Sequence, residues 1–301
     1  MSPILQAALW MSGAILSFSS MAVAGRSAAA TLDTFEIMMY RSVVGLVIVI
    51  TLLGLTGHWR NLSRRHLGTH ALRNLAHFTG QNLWFFALTL IPLAQVFALE
   101  FTSPLWVVLL APLLLGERLT AIRTTAAMLG FVGILVVTRP GAETLNIGVL
   151  AAAASAICFA LTGILTKRLT RSESIGTILF HLTVMQAVFG LVCAGLDRDI
   201  ALPDAATLPW VVLIGLAGLL AHFCLTKALS LAPATVVIPI DFIRLPVIAV
   251  VGMLLYGEPL EMSVLLGAAL IFAGNYLNIL TEARQNETRR KARRVADKQT
   301  G

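Results

Sequence analysis

Ala87-Leu88-Thr89-Leu90-Ile91-Pro92-Leu93 recurs 141 residues later, in close copy, as Ala228-Leu229-Ser230-Leu231-Ala232-Pro233-Ala234. At this single offset the two halves of the chain align without a gap through their informative parts. Further matches are Glu100-Phe101 with Asp241-Phe242, Gly116-Glu117-Arg118-Leu119 with Gly257-Glu258-Pro259-Leu260, Phe18 with Phe159, and Arg26 with Lys167. So many matches at one spacing indicate that the chain is built from two equivalent halves.

The composition on either side of this repeat is that of a membrane protein. Hydrophobic residues make up 57% of the 301 residues and charged residues only 12%, against about 25% charged in an ordinary soluble domain. A soluble globule could not cover its surface with so few polar groups. Disorder, a disulfide scaffold and a nucleic-acid domain are excluded in the same way, although the net charge of +7 suggests the last of these.

Ten apolar runs are long enough to cross about 30 Å of hydrocarbon. None alternates with period two, so each is expected to be a helix. The runs are 5–24, 34–55, 69–90, 93–115, 121–137, 147–166, 175–196, 208–229, 234–256 and 262–281. We therefore predict an all-α integral membrane fold of ten transmembrane helices. Its first repeat is 1–140, its second 141–281, and a basic tail follows at 282–301.

Each half contains five spans, an odd number, so the second half must enter the membrane with the opposite polarity. The prediction is two inverted five-helix repeats, an arrangement that recurs in secondary transporters. Two similar bundles can rock about a central site and expose it to each side in turn.

The basic residues give the orientation, because cytoplasmic loops are enriched in Lys and Arg. With the N-terminus inside, 16 of the 22 Lys and Arg residues lie in cytoplasmic segments and three on the opposite side. We expect a multi-pass protein of the inner (plasma) membrane with both termini cytoplasmic. The tail is expected to contact anionic lipid headgroups rather than nucleic acid. The sequence leaves open whether the chain forms a homodimer.

Several motifs resemble the EamA family of the drug/metabolite transporter superfamily. They are Tyr40-Arg41-Ser42 in span two, Ser103-Pro104 leading to Gly116-Glu117-Arg118-Leu119, Gly130 and Gly133, and Arg244-Leu245-Pro246 leading to Gly257-Glu258-Pro259-Leu260. The resemblance covers the chain up to Thr281 and implies a ten-helix carrier of a small molecule. Members of the family resemble one another in fold but move very different solutes, including amino acids, nucleosides and vitamins.

Charged side chains at membrane depth are the first candidates for a site, because each costs about 2.5–3.5 kcal/mol to insert. Glu100 and Asp241 both lie near the membrane midplane and correspond in the repeat. Either carboxyl can carry a proton or hold a cationic group of a substrate, whereas a static pair with Arg244 is the alternative for Asp241. Arg41 can neutralise one of these carboxyls, bind a substrate carboxylate or phosphate, or anchor packing.

Polar residues of span three give the remaining candidates. Arg73, His77, Gln81 and Trp84 lie on one helical face, and Gln81 corresponds to His222 in the repeat. Gln81 and His222 can hydrogen-bond a substrate, and Trp84 can stack on a planar or cationic group. Hydrogen bonding between helices is the alternative role.

Prolines interrupt spans four and nine, at Pro104, Pro112, Pro239 and Pro246. Each removes a backbone donor, which lipid tolerates only where neighbours or a cavity compensate. We therefore expect kinks that shape a central cavity. Gly116 and Gly257 are expected to end helices, and the glutamate after each to act as an interfacial cap.

The resulting prediction is a secondary transporter working by alternating access, with no cofactor and no metal. Its mixture of basic and acidic groups favours a zwitterionic solute such as an amino acid or a derivative. The alternative is an uptake carrier for a vitamin or nucleotide-like solute such as riboflavin or S-adenosylmethionine. Proton coupling and facilitated exchange both remain open, as does the direction of transport. Because the GxxxxGK, HExxH and GxSxG motifs are absent, an intramembrane enzyme is a remote third alternative.

Overall fold

The structure is a computed structural model that describes residues 3–57, 59, 62–115, 121–139, 146–169, 172–196, 198–231, 240–241, 243–277 and 280. Within these residues it is helical and contains no strand, so the predicted all-α class is confirmed. The helices are α1 (Pro3–Ala28), α2 (Thr34–Thr56), α3 (Leu67–Leu90), α4 (Leu93–Glu100), α5 (Ser103–Leu115), α6 (Ala121–Thr138), α7 (Ile147–Leu169), α8 (Ile175–Ala194), α9 (Leu208–Leu231), α10 (Arg244–Tyr256) and α11 (Met262–Leu277).

Five of the described helices are long and apolar enough to cross a membrane. They contain the segments Leu5–Ala28, Thr34–Thr56, Ile147–Thr166, Gly176–Ala194 and Leu208–Leu225. At 24 residues, α3 is also long enough, but it buries histidine, arginine, asparagine and glutamine side chains that lower its hydropathy. Large apolar side chains are exposed on the outside of the bundle, such as Leu16 and Leu150. Such an apolar surface suits lipid rather than water.

Local signals fix both ends of α2. Asp33 is the N-cap, and its side chain accepts a hydrogen bond from the Glu36 amide while the Glu36 carboxylate accepts one from the Asp33 amide. This reciprocal capping box satisfies two donors of the first turn. Gly57 ends the helix in the left-handed conformation at φ 67°, which glycine adopts at little cost. Glu36 also accepts the Ala201 amide, so it ties α2 to the segment before α9.

The helix contacts reproduce the repeat seen in the sequence. Helix α1 packs along α9, and α3 packs along α7. Because the 141-residue offset carries α1 onto α7 and α3 onto α9, these two packings are equivalent. The α2–α8 packing joins an element to its own counterpart, and α4 packs against α10, which is the counterpart of α5. Helices of one half therefore pack against helices of the other half, and the two halves share one core.

Spans four and nine are broken at equivalent positions. In span four, α4 ends at Glu100, Phe101 and Thr102 form a turn, and α5 begins at Ser103. In span nine, Asp241 is helical and Ile243 forms the turn before α10. Ile243 corresponds to Thr102 under the offset, so in both spans a turn lies two residues after the intramembrane carboxylate.

At the first break the helix is interrupted where the prolines predicted a kink. Pro104 has no amide hydrogen with which to bond the Glu100 carbonyl, so the α-helical ladder cannot run through this point. The Phe101 carbonyl accepts a hydrogen bond of 2.9 Å from Asn275 Nδ2 in α11. The predictions for Gly116, Glu117, Pro239 and the basic tail 282–301 lie outside the described residues, as does the side chain of Pro112.

Candidate functional site

Arg244 joins the two broken spans. One of its nitrogens, Nη2, lies 3.0 Å from Glu100 Oε1 and 3.2 Å from Asp241 Oδ2. Glu100 is the last residue of α4 and Arg244 the first of α10, so the two helix ends are held together by charge. The pair between Asp241 and Arg244, foreseen from their spacing, is present. Arg244 also pairs with Glu100, for which the sequence indicated no local partner.

The side chain of Arg244 is buried among aromatic rings. Its guanidinium carbon lies 4.7 Å from the ring centre of Phe18, 5.0 Å from that of Phe97 and 4.9 Å from that of Phe101. Rings within about 6 Å attract a guanidinium through their quadrupole. These phenylalanines were not predicted to belong to the site, because in the sequence they are indistinguishable from core residues.

Trp84 orients the second oxygen of Glu100. Its indole Nε1 donates a 2.8 Å hydrogen bond to Glu100 Oε2. The ring is 2% exposed and meets Phe85 and Phe97 edge to face. In this conformation the tryptophan holds the carboxylate in place, whereas its stacking on a substrate remains a prediction.

Arg41 and Gln81 form a separate polar contact between α2 and α3. Arg41 Nη1 donates to Gln81 Oε1 at 3.0 Å and contacts Met38 Sδ at 3.5 Å. Among the described residues Arg41 has no carboxylate partner, so the expectation that it neutralises Glu100 or Asp241 is not met in this structure. A methyl group on Gly218 of α9 would lie 3.1 Å from Arg41 Nη2, so a larger residue there would require the guanidinium to shift by a few tenths of an ångström.

His222 lies between the two polar groups. Its ring meets Phe18, which flanks Arg244, at a centroid distance of 5.6 Å. On its other side it meets His77 at 6.1 Å. The predicted site residues thus form one connected region with two parts, a charged part at Glu100 and a second part around Arg41.

Buried polar side chains of α3 continue this region toward one end of the bundle. His70, Arg73, Asn74, His77 and Gln81 are all less than 9% exposed. His70 stacks on His181 of α8 with ring centres 4.4 Å apart. Burying a row of polar side chains of this length in a membrane helix costs free energy unless water or a solute binds to them.

A small cavity opens beside Arg41. Its volume is about 30 Å³, and it is lined by Arg41, His77, Gln186, Gly218 and His222 among others. Pockets that hold small organic molecules are typically about 300–1,000 Å³. In this conformation the cavity therefore accommodates water or a small ion but no whole metabolite.

Among the described residues no group of three His, Cys, Asp or Glu side chains could hold a metal ion. Cys158, Cys193 and Cys224 are free thiols. The absence of a cofactor remains a prediction.

Membrane-length helices, two matched halves and a buried ion network define a polytopic membrane protein. The model of the EamA-like transporter family matches residues 5–139 and again 146–280. The chain belongs to the EamA-like transporter family, as its motifs indicated.

Relatives of known name are transporters. The chain is 32% identical to a riboflavin transporter of Brucella anthropi over 79% of its own length and 85% of that protein. It is 30% identical to a riboflavin transporter of Vibrio cholerae, with 89% and 90% covered. It is 27% identical to an S-adenosylmethionine uptake transporter of Rickettsia felis, with 91% and 92% covered.

A solved crystal structure shares the fold. It superposes with a TM-score of 0.63 at 22% identity, covering 93% of this chain and 98% of that one. At this identity the likeness concerns the fold alone.

Proposed function

We propose that this protein is a secondary transporter that moves a small organic metabolite across the inner membrane by alternating access. One observation carries the proposal. Arg244 links Glu100 to Asp241 at the equivalent breaks of two matched spans. Broken helices with charged groups at the interface of two repeats are the usual place of a substrate or ion site in secondary transporters.

The proposed architecture is ten transmembrane helices in two inverted five-helix repeats, 1–140 and 141–281, followed by the tail 282–301. The equivalence of the α1–α9 and α3–α7 packings supports this arrangement. The distribution of Lys and Arg supports cytoplasmic termini. The tail would then lie next to anionic headgroups of the inner leaflet.

The proposed route passes the connected polar region described above. Its residues are Glu100, Asp241, Arg244, Arg41, Gln81, Trp84 and His222. One of the two carboxylates can leave Arg244 and then take up a proton or pair with a cationic group of the solute. Such an exchange would couple movement to protons, whereas an unchanging triad would support facilitated exchange.

Two classes of substrate are supported. Neighbouring acids and arginines favour an amino acid or a zwitterionic derivative. The names of the relatives support a vitamin or nucleotide-like solute. S-adenosylmethionine joins an amino-acid end to a nucleoside, so it falls into both classes.

The test is transport by the purified protein in proteoliposomes. Labelled S-adenosylmethionine, riboflavin and a panel of amino acids are offered to the wild type, to Glu100→Gln and to Asp241→Asn. We expect one class to accumulate, and the rate to fall at least about tenfold in both variants, the equivalent of about 1.4 kcal/mol.

Glu261→Gln is the matched control, because Glu261 is half exposed and pairs with Arg139 away from the site. Its rate should equal that of the wild type. If no solute moves in any vesicle, the transporter proposal fails. Wild-type rates in both site variants would leave the function standing but refute the site.

A further inference from the structure

We infer that the cavity beside Arg41 binds an oxyanionic group, a carboxylate or a phosphate, of the transported solute. The inference rests on the proposed function, because it assigns one part of the route to one part of the solute. It concerns a place distinct from the Glu100–Arg244–Asp241 triad, formed by α2, α3, α8 and α9.

Arg41 and Arg73 carry positive charge that no carboxylate among the described residues pairs with. Within that part of the chain, Arg41 bonds to Gln81 and Met38, and Arg73 bonds to Thr166 and Asn74, all of them neutral. The Arg244 triad balances only part of this charge, because its own arginine already neutralises one of its two carboxylates.

With all five groups charged, the triad carries one negative charge and the two arginines two positive charges. A buried charge is costly unless it is paired. An anion bound near Arg41 would remove the excess, and a guanidinium can present two parallel donors to a carboxylate or phosphate.

The cavity wall also contains hydrogen-bonding atoms that no described residue uses. His77 is 3% exposed, and neither of its ring nitrogens has a partner among the described residues. Gln186 is 3% exposed, and its Nε2 donates to the Asn74 carbonyl while its Oε1 has no partner there. Buried polar atoms are nearly always satisfied by protein, water or ligand.

These atoms also describe the ligand. Arg41 offers charged donors, a neutral imidazole offers one donor and one acceptor, and Gln186 Oε1 only accepts. An oxyanion with an N–H or O–H group beside it satisfies all three. A carboxylate next to a hydroxyl has this pattern and keeps its negative charge, whereas a neutral ring system leaves the charge of Arg41 unbalanced.

The test uses the smallest matched pair of probes, because the cavity volume is only about 30 Å³. Purified full-length protein in phospholipid-free detergent is titrated with formate or with neutral formamide, and chloride keeps the ionic strength constant. We expect formate at about ten times its dissociation constant to raise the unfolding temperature by about 2–4 °C, and formamide to leave it unchanged.

Arg41→Gln should abolish the formate shift, and the exposed Arg139→Gln should retain it. Gly218→Ala is the second variant, in case Arg41→Gln does not fold. Its added methyl group would lie 3.1 Å from Arg41 Nη2, so it should weaken formate binding while Arg41 keeps its charge. Equal shifts with formate and formamide, no shift, or a full shift in Arg41→Gln would each overturn the inference.

Two further experiments are needed. One distinguishes a solute oxyanion from a lipid headgroup, and the other distinguishes failure of the oxyanion site from failure of the transporter proposal. If added phosphatidylglycerol removes the formate shift, the site belongs to a lipid headgroup and the assignment to the solute is wrong. If transport proceeds with a neutral solute and is unaffected by Arg41→Gln, the inference fails and the transporter stands. If the protein moves no solute but shows a formate shift that depends on Arg41, the oxyanion site is supported and only the transporter proposal is refuted.

Discussion

Arg244 holds two carboxylates that would otherwise repel each other. Its side chain is 5% exposed, and those of Glu100 and Asp241 are 16% and 19% exposed. In so dry a place a net attraction depends on the arginine facing both acids at once and on the aromatic rings that surround it. The arginine therefore adds an ionic link to the apolar packing that holds the two broken spans together.

Replacing Arg244 by Gln should destabilise the protein more than any other single change in the triad. Removing one partner of a buried ion pair costs about 3–5 kcal/mol, and here the two carboxylates are also left side by side. We expect a fall of at least about 6 °C in the unfolding temperature in detergent.

Glu100→Gln should cost less, because Arg244 keeps Asp241 and the new amide can still accept from Trp84. The exposed Arg139→Gln is the control and should change the temperature little. If Arg244→Gln unfolds at the wild-type temperature, the triad contributes nothing to stability.

Local spacing predicted only part of this site. Asp241 and Arg244 are three residues apart on one helix, so their pairing was visible in the sequence. Glu100 and Arg244 are 144 residues apart, and Gln186 reaches Asn74 across 112 residues. Such pairs are created by helix packing, and a single sequence contains no signal for them.

The helices themselves follow closely from their apolar runs. Helix α2 begins at the predicted Thr34, and α6 ends one residue beyond the predicted Val137. The break after Glu100 was not predicted as a full interruption, because the stretch from Leu93 to Leu115 has the composition of an uninterrupted span. Contacts from a distant helix complete the break, with Asn275 and Phe272 of α11 both meeting Phe101.

Asn275→Leu should therefore weaken the junction between α11 and the break in span four. It removes the Nδ2 donor that bonds the Phe101 carbonyl across 174 residues. A hydrogen bond of this kind contributes about 0.5–1.5 kcal/mol net, so we expect the unfolding temperature to fall by about 1–6 °C.

Tyr276→Phe is the matched control on the same helix, because Tyr276 is 49% exposed. Its unfolding temperature should stay unchanged. A loss in the control equal to that in Asn275→Leu would show that α11 is merely sensitive to substitution.

At the scale of the whole molecule, the two halves also meet at a group of contacts around Arg26 and Glu258, which we call the Arg26 latch. Arg26 at the end of α1 pairs with Glu258, 232 residues away, and donates to the Leu88 and Ile91 carbonyls at 2.6 and 2.7 Å. Glu258 also accepts the Leu93 amide at 2.9 Å. It therefore caps α4 of the opposite half, in addition to following the end of its own helix as the sequence indicated.

The repeat supplies a counterpart to this latch. Under the 141-residue offset Arg26 corresponds to Lys167 and Glu258 to Glu117, whose side chains lie outside the described residues. In the proposed topology the Arg26 latch is on the outer face and the Lys167 pair on the cytoplasmic face. A carrier with alternating access needs one face closed while the other opens, so the two pairs are expected to form in turn.

Glu258→Gln should therefore open the outer face, and Glu117→Gln should keep it closed. The measurement is the labelling rate of Ala94→Cys, beside the Leu93 amide that Glu258 binds, by a membrane-impermeant maleimide added outside cells. Alanine replaces the three native cysteines in every variant. A charge-assisted hydrogen bond contributes about 1.5–3 kcal/mol, so Glu258→Gln should raise the labelling rate about tenfold or more.

Glu261→Gln, which breaks the exposed pair with Arg139, should leave the labelling rate unchanged. If Glu258→Gln and Glu261→Gln label alike, the latch does not control access. If Glu117→Gln labels faster than the wild type, the two faces are not coupled in opposite senses.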